Sequence, residues 1–354
     1  MTINSVKTKR AIRLAGALII AGGSIVACSQ DDTNDAQPDQ TSETADPAAQ
    51  NTTVPDTAAQ SPSSTQADQS STSVEPSVDS SSIHEHFSHF EGVSTREEGE
   101  YFRVSSDGLA HHTMMEGIVS WQQQVPLPQD YTGSNSWSIP LEPVLADDPI
   151  STTDHFHRGA VAIAVNGIPM FNALNNRGEF AADVGELDDW GGHSGRADDY
   201  HYHLAPEHLE DTVGEGNPIA YALDGFPLFA QTSETLDEYL GRFDEDGAYR
   251  YHAVDYQPYY IAGFRGEVQI DPGSEAPEDQ VFPQSKTTPV RGSYGPLAGA
   301  EITGLEQTAP NAYSLEYEVD GEVSSVNYSW DADGLYTFEF IDASGNSSIE
   351  TYPS

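Results

Sequence analysis

The sequence predicts a mainly β fold with minor α+β character: a duplicated β-rich domain followed by a small C-terminal antiparallel β-meander. Three observations point there. Apolar runs beyond residue 83 are short, rich in Val, Ile, Tyr and Phe, and bounded by Gly, Pro, Asn or Asp, as strands are. A ten-residue pattern occurs twice. Residues 312–352 alternate apolar and polar positions between turns at Asp320-Gly321, Asp333-Gly334 and Ser344-Gly345, the pattern of a meander.

Taken in order, residues 1–27 have the three parts of a secretory leader: Lys7, Lys9, Arg10 and Arg13, then an apolar run from Leu14 to Ala27. The run is shorter than the roughly 20 residues a spanning helix needs. Its end, Ile25-Val26-Ala27-Cys28, resembles the bacterial lipobox, which implies a lipid anchor (thioether lipid and a fatty acyl chain such as palmitate) on Cys28. Several acyl chains together hold stably to a membrane. Ser29, with no Asp at that position, points to sorting to the outer membrane of a bacterial envelope. Residues 28–82 are Ser, Thr, Asp, Gln, Pro and Ala with almost no large apolar residue, so they cannot offset their ordering entropy and read as a disordered spacer. As a coil it would hold the domain on the order of 40 Å from the anchor.

The main domain is placed at 83–283 and the C-terminal β unit at 284–354. Candidate strands are residues 117–121, 159–166, 200–204, 218–224, 248–253 and 259–268, with short helices at 206–213 and 233–243. The segment 272–296 reads as a connection, and strands follow at 312–318, 323–330, 334–341 and 347–352. The repeat matches Ala162 to Phe171 (AIAVNGIPMF) with Ala220 to Phe229 (AYALDGFPLF), each a strand that runs into an Asn/Asp-Gly turn and ends at Pro. Tyr200-His201-Tyr202-His203 follows the first copy and Tyr249-Arg250-Tyr251-His252 the second.

Composition limits the chemistry. Cys28 is the only cysteine, so once it carries lipid no thiolate or disulfide remains, and any metal site must use nitrogen and oxygen. With 14 Lys and Arg against 57 Asp and Glu, the net charge of −43 excludes nucleic acid as a partner. The acid is spread along the chain, which fits a saline habitat better than a cation-capture cluster.

The histidines carry the functional reading. On a strand Tyr200 and Tyr202 face one way and His201 and His203 the other, and two imidazoles so spaced can lean together on one ion. His193 sits in Gly191-Gly192-His193-Ser194-Gly195, a loop able to fold back to that strand, and pseudo-symmetry is expected to bring His252 close to His203. Asp224 and Asp199 are the expected carboxylate acceptors for imidazole N–H groups. The alternative is a core strand whose histidines merely hydrogen-bond Asp198, Asp199 or Asp224. His155 and His157 form a weaker second pair, at most one of His111 and His112 can join a site, and His84, His86, His89 and His208 read as solvated.

Gly192-His193, Asp199 to His203, Ile219 to Pro227 and Tyr249 to His252 ahead of Pro258-Tyr259 and Gly263 together resemble the YHYH domain family over about residues 100–270. Arg250 departs from a symmetric second H-x-H. The resemblance implies a domain boundary and supplies no activity. The expected function is therefore an envelope-anchored protein with a histidine-built site for zinc or copper, or for another ligand, and no nucleotide cofactor. One alternative is a metal-dependent hydrolase using Glu207 or Asp199 as base, although no H-E-x-x-H or G-x-S-x-G is present. The other is an adhesion or carbohydrate-binding module using Trp121, Trp137 and Trp190.

Overall fold

The computed structural model describes residues 80–353. The leader, Cys28 and the spacer as far as residue 79 lie outside the described residues. Among the described residues no helix is long and apolar enough to cross a membrane.

The first described element includes residues that the composition assigned to the spacer. Helix α1 (Ser80–Ser88) buries Ile83 and Phe87, four residues apart and hence on one face. That docking leaves His84 and His86 half-buried: His84 Nδ1 hydrogen-bonds Thr95 Oγ1 at 2.5 Å and His86 Nδ1 bonds the Tyr221 hydroxyl at 2.7 Å. His89, at the helix end, is exposed as expected.

A meander of β1 (Ser94–Glu98), β2 (Tyr101–Ser105) and β3 (Trp137–Pro140) follows, then β4 (Leu145–Ser151). The central sheet contains β5 (Ala160–Ala164), β6 (Pro169–Phe171), β7 (Gly192–Ser194), β8 (Tyr200–Tyr202), β9 (Ala220–Ala222), β10 (Pro227–Phe229), β11 (Gly241–Phe243) and β12 (Tyr249–His252). Helix α2 (Glu210–Val213), entered through a 3₁₀ turn at Glu207–Leu209, occupies the expected position between the copies. Strand β13 (Gly263–Gly266) returns to pair with β4, and β14 (Gln269–Ile270) pairs with β15 (Val281–Phe282). Strands β16 (Ala300–Ala309), β17 (Ala312–Val319), β18 (Glu322–Trp330), β19 (Leu335–Ile341) and β20 (Ser347–Pro353) form a five-stranded antiparallel meander.

The order across the central sheet is β11-β12-β10-β9-β5-β6-β8-β7. Read from either end it is the same sequence of equivalent elements. The two copies meet where β5 and β9 pair antiparallel, with Ile163 opposite Tyr221 and Ala162 opposite Ala222. Small alanines at this seam let the sheet be covered closely on both faces, and all five residues of β5 are buried. Each copy then runs outward, so the Tyr-bearing strands β8 and β12 lie near opposite edges.

Three sequence expectations are corrected. Residues 117–121 form no strand; Gly117 and Ile118 instead exchange backbone hydrogen bonds with Ile302, and Val119 and Ser120 donate to Gly185 O. Residues 233–243 form no helix, because the Asp237 carboxylate accepts hydrogen bonds from the Tyr239 and Gly241 amides and captures donors a helix would need. The C-terminal unit has five strands rather than four. Strand β16 escapes the alternation test because bulges interrupt its register near Gly304 and again between Gln307 and Ala309.

The C-terminal sheet shares one apolar core with the main domain, with Leu315, Val326 and Phe338 in the same buried cluster as Ile118, Trp121 and Val125. One ion pair fixes the connection. Arg291 Nε donates to Asp198 Oδ2 at 2.7 Å and a second guanidinium nitrogen to Oδ1 at 2.9 Å, with Phe338 packed 4.4 Å from the guanidinium carbon. Both residues are 5 % exposed or less. Removing one partner of a buried pair leaves an uncompensated charge, which costs far more than the pair's own net contribution. Arg291→Ala is therefore expected to lower unfolding free energy by about 3–5 kcal/mol, read from urea denaturation; a change near zero would show that Asp198 finds water instead.

Candidate functional site: a three-histidine cluster

The site begins with two tyrosines on the opposite face of the same strand. Tyr200 and Tyr202 are fully buried, so their hydroxyls must be hydrogen-bonded inside the protein. Tyr200 donates to Asp188 Oδ2 at 2.7 Å, and the same carboxylate accepts from the Met115, Trp190 and Gly192 amides. Tyr202 accepts from Asn166 Nδ2 at 3.0 Å and donates to His112 Nε2 at 2.7 Å. Gly192 must lack a side chain, since a Cβ there would run into the Tyr200 hydroxyl. Strand alternation then fixes His201 on the other face, and His203 follows in the same phase just past the strand end.

Strand β7 pairs antiparallel with β8 and sets His193 directly opposite His201. The three rings converge. His203 Nε2 lies 3.2 Å from His201 Nε2 and 3.2 Å from His193 Nε2. One ligand nitrogen from each residue fits within a group no wider than 4.8 Å. His201 and His203 are 3 % and 4 % exposed, while His193 keeps partial access to solvent.

The outer nitrogens settle which atoms point inward. His201 Nδ1–H donates to the Asp199 carbonyl at 2.9 Å and His203 Nδ1–H to the Asn172 carbonyl at 2.6 Å. The His193 ring is hydrogen-bonded to the Glu186 backbone. A neutral imidazole that donates from Nδ1 presents a lone pair at Nε2. Lone pairs therefore face one another at the centre, an arrangement that a cation relieves. Burial, then repulsion from His201, pushes the His203 pKa down to about 3, and burial followed by His201 and His203 holds His193 well below its ordinary value. Phe171 stacks on His201 at 3.9 Å between centroids and walls one side.

The expected residues are distributed as follows. His193, His201 and His203 come together. Asp199 serves this group mainly through its backbone oxygen; its carboxylate lies 3.6 Å from His201 Nδ1 and accepts the Ala197 amide. His252 is a correction: it stands in β12, five strand spacings from β8, or about 24 Å across the sheet. The duplication relates it to His203 by a two-fold operation that sends equivalent residues to opposite edges. Asp224 is corrected likewise. It belongs to the second copy and accepts from the Tyr251 hydroxyl and the Gly266 amide, so it serves a tyrosine and no imidazole.

The remaining histidines stay outside the group. His155 pairs with Asp279 at 2.6 Å, and His157 Nε2 bonds the Thr153 carbonyl. His112 lies on the tyrosine side of the strand, stacked on Trp190, and His208 packs edge-on against both, so it is not the surface residue expected. The Glu207 carboxylate accepts from the Gln231 amide and, at 2.8 Å, from its side chain. Trp121 and Trp137 are core residues, each 2 % exposed, which removes two of the three rings of a sugar platform. Sequence reasoning missed Phe171, Asn172 and Glu186. Phe171 closes the repeat and was legible as a paired position; the other two act through their main chain and leave no side-chain signal.

A family model described as YHYH protein matches residues 136–238. The matched segment contains the whole triad, Asn166 and Asp188, and ends before β11 and β12. The resemblance carried by the Y-H-Y-H and D-G-x-P blocks is thus to this family, over a narrower stretch than about 100–270. No curated protein and no solved structure matches the chain.

The lowered histidines make the fold acid-sensitive. Below about pH 6.5 the unfolded chain takes up protons at His203 that the native state refuses until about pH 3, so the unfolded state binds more protons and native stability falls with pH across that window. In the presence of chelator, unfolding free energy is expected to drop steadily from pH 7 to pH 4. His203→Phe should flatten that slope, measured by denaturant titration at each pH.

Proposed function

We propose that this chain is a lipid-anchored envelope protein, held through Cys28, whose exported domain binds one divalent metal ion, zinc or copper, through His193, His201 and His203. The observation that carries the metal reading is the convergence of three Nε2 atoms, with the Nδ1 protons of His201 and His203 committed to main-chain carbonyls. Spacing supports it. Nitrogens about 2.0 Å from a tetrahedral ion stand about 3.3 Å apart, close to the two separations of 3.2 Å here. Carbonyls that hold the Nδ1 protons fix tautomer and ring angle, the usual outer support of an imidazole ligand. Neutral imidazoles need lose no proton to bind, so affinity persists to mildly acidic pH.

A second reading deserves a place because the group has three protein donors among the described residues and His193 keeps solvent access. A fourth position open to water is the arrangement of a hydrolytic metal centre, where the ion lowers the pKa of bound water. The two carboxylates considered as bases are engaged among the described residues: that of Asp199 accepts the Ala197 amide and that of Glu207 accepts from Gln231. Binding is accordingly the primary reading and hydrolysis the alternative.

Protein purified without a histidine tag is expected to carry close to one zinc or copper per chain by elemental analysis. In the His201→Ala, His203→Ala double variant that content should fall to background, with affinity reduced by roughly 100-fold or more, as loss of ligands from a small donor set implies. A folded, metal-free native protein that takes up neither ion would overturn the proposal, and chelator-sensitive turnover of model esters would move it to the hydrolase reading.

A further inference from the structure

The duplication extends beyond the repeat visible in sequence. Asp188 and Asp237 play the same part in the two copies: each accepts a tyrosine hydroxyl, Tyr200 or Tyr249, and the amide of the glycine that opens the edge strand, Gly192 or Gly241. His203 Nδ1 bonds the Asn172 carbonyl, and His252 Nδ1 bonds the Ala230 carbonyl at 2.9 Å. In β11 Arg242 lies opposite Arg250, as His193 lies opposite His201. Arg250 covers Phe229 at 4.7 Å just as His201 covers Phe171. The scaffold of the histidine cluster therefore recurs at the far edge of the sheet with Arg242, Arg250 and His252 in place of the three imidazoles.

A guanidinium carries only N–H donors and a fixed positive charge, so at two of the three positions it offers no lone pair to a cation and favours an anion. Two like charges directly opposite in a ladder repel, and the local acid compensates only part of this. Arg250 is paired with Asp244, whereas Arg242 has no ion-pair partner among the described residues and donates only to the Phe243 carbonyl. Three nitrogens here are buried without a hydrogen-bond partner: Arg242 Nε, Arg250 Nε and His252 Nε2. The His252 side chain belongs to a residue 6 % exposed, so its orphaned nitrogen lacks bulk water. Because Nδ1–H is committed to the Ala230 carbonyl, Nε2 is the acceptor of the neutral ring, and burial followed by Arg242 and Arg250 lowers the His252 pKa against the Ala230 carbonyl and the Glu234 carboxylate. Such positive density is notable in a chain with 14 Lys and Arg against 57 acidic residues.

We infer that Arg242, Arg250 and His252 form an oxyanion site for inorganic monohydrogen phosphate, independent of the metal group at the opposite edge. Phosphate oxygens accept from the guanidiniums, and the P–O–H proton is donated to His252 Nε2, which pairs every orphaned nitrogen. Sulfate has the same shape and charge at neutral pH but brings no proton for His252.

Calorimetric titration of phosphate into the full-length, chelator-treated chain should show saturable binding of one ion per chain, at least ~10-fold tighter than sulfate. Arg242→Gln, a change on a partly exposed edge strand with the fold checked by thermal melting, should weaken it at least ~10-fold. The His201→Ala, His203→Ala variant should bind phosphate as wild type does. The His252 imidazole ¹⁵N resonances should shift on phosphate addition. No saturable binding, equal affinity for sulfate, an unaffected Arg242→Gln variant, or loss of binding in the triad variant would each overturn the assignment.

Discussion

Two phenolic hydroxyls sunk in an apolar core must be satisfied where they lie, and most of the geometry follows from how Tyr200 and Tyr202 meet that demand. An unpaired buried hydroxyl costs on the order of 1–3 kcal/mol. Asp188, Asn166 and His112 remove that cost, and in doing so fix the facing direction of β8. Once the tyrosines are held, alternation commits His201 and His203 to the opposite face. Asp188 also gathers the Met115, Trp190 and Gly192 amides, so the turn that delivers His193 hangs on the same carboxylate. Burial raises the Asp188 pKa, against the hydrogen bonds that stabilise its charge, which marks it as a group held at some expense for what it positions.

The second copy keeps this architecture and changes its chemistry. Tyr249 and Tyr251 are again buried, again held by carboxylates, here Asp237 and Asp224. The polarity differs in one place: Asn166 donates to Tyr202, whereas Asp224 accepts from Tyr251 and from Gly266, and burial pushes its pKa up to about 6. With the scaffold preserved and two of the three side chains exchanged, His193 for Arg242 and His201 for Arg250, one sheet presents a nitrogen-donor group near one edge and a cationic group near the other. The two groups lie near opposite edges of the sheet, with the β5/β9 seam midway between them.

Packing of the C-terminal sheet bears on the first site through one bond pair. Asp198, anchored by Arg291 and by the Val125 amide, directly precedes Asp199, whose carbonyl orients His201. The turn between them is tight: Gly195 donates to the Asp199 carbonyl, and a Cβ on Gly195 would meet His201 at 2.9 Å. Arg291, in the segment that leads to the C-terminal sheet and packed against its Phe338, thus steadies the backbone that orients His201.

The sequence by itself determined the mainly β class, the final four strands, the repeat, and the alternation that puts His201 and His203 on one face with His193 able to reach them. These are local properties: a period of two, turn residues and short spacings act over a few neighbouring positions. It also limited the donors at the site to nitrogen and oxygen through the lone Cys28. Tertiary structure alone decided where His252 and Asp224 lie, because a repeat in sequence carries no information about the symmetry operation that relates its copies. It alone revealed Arg242 as the counterpart of His193. Main-chain acceptors at Asn172, Asp199 and Glu186 were equally invisible, since every residue but proline offers the same amide and the choice among them rests on packing. The loop at 233–240 and the bulged β16 were decided the same way, by long-range contacts that outweigh weak local preferences.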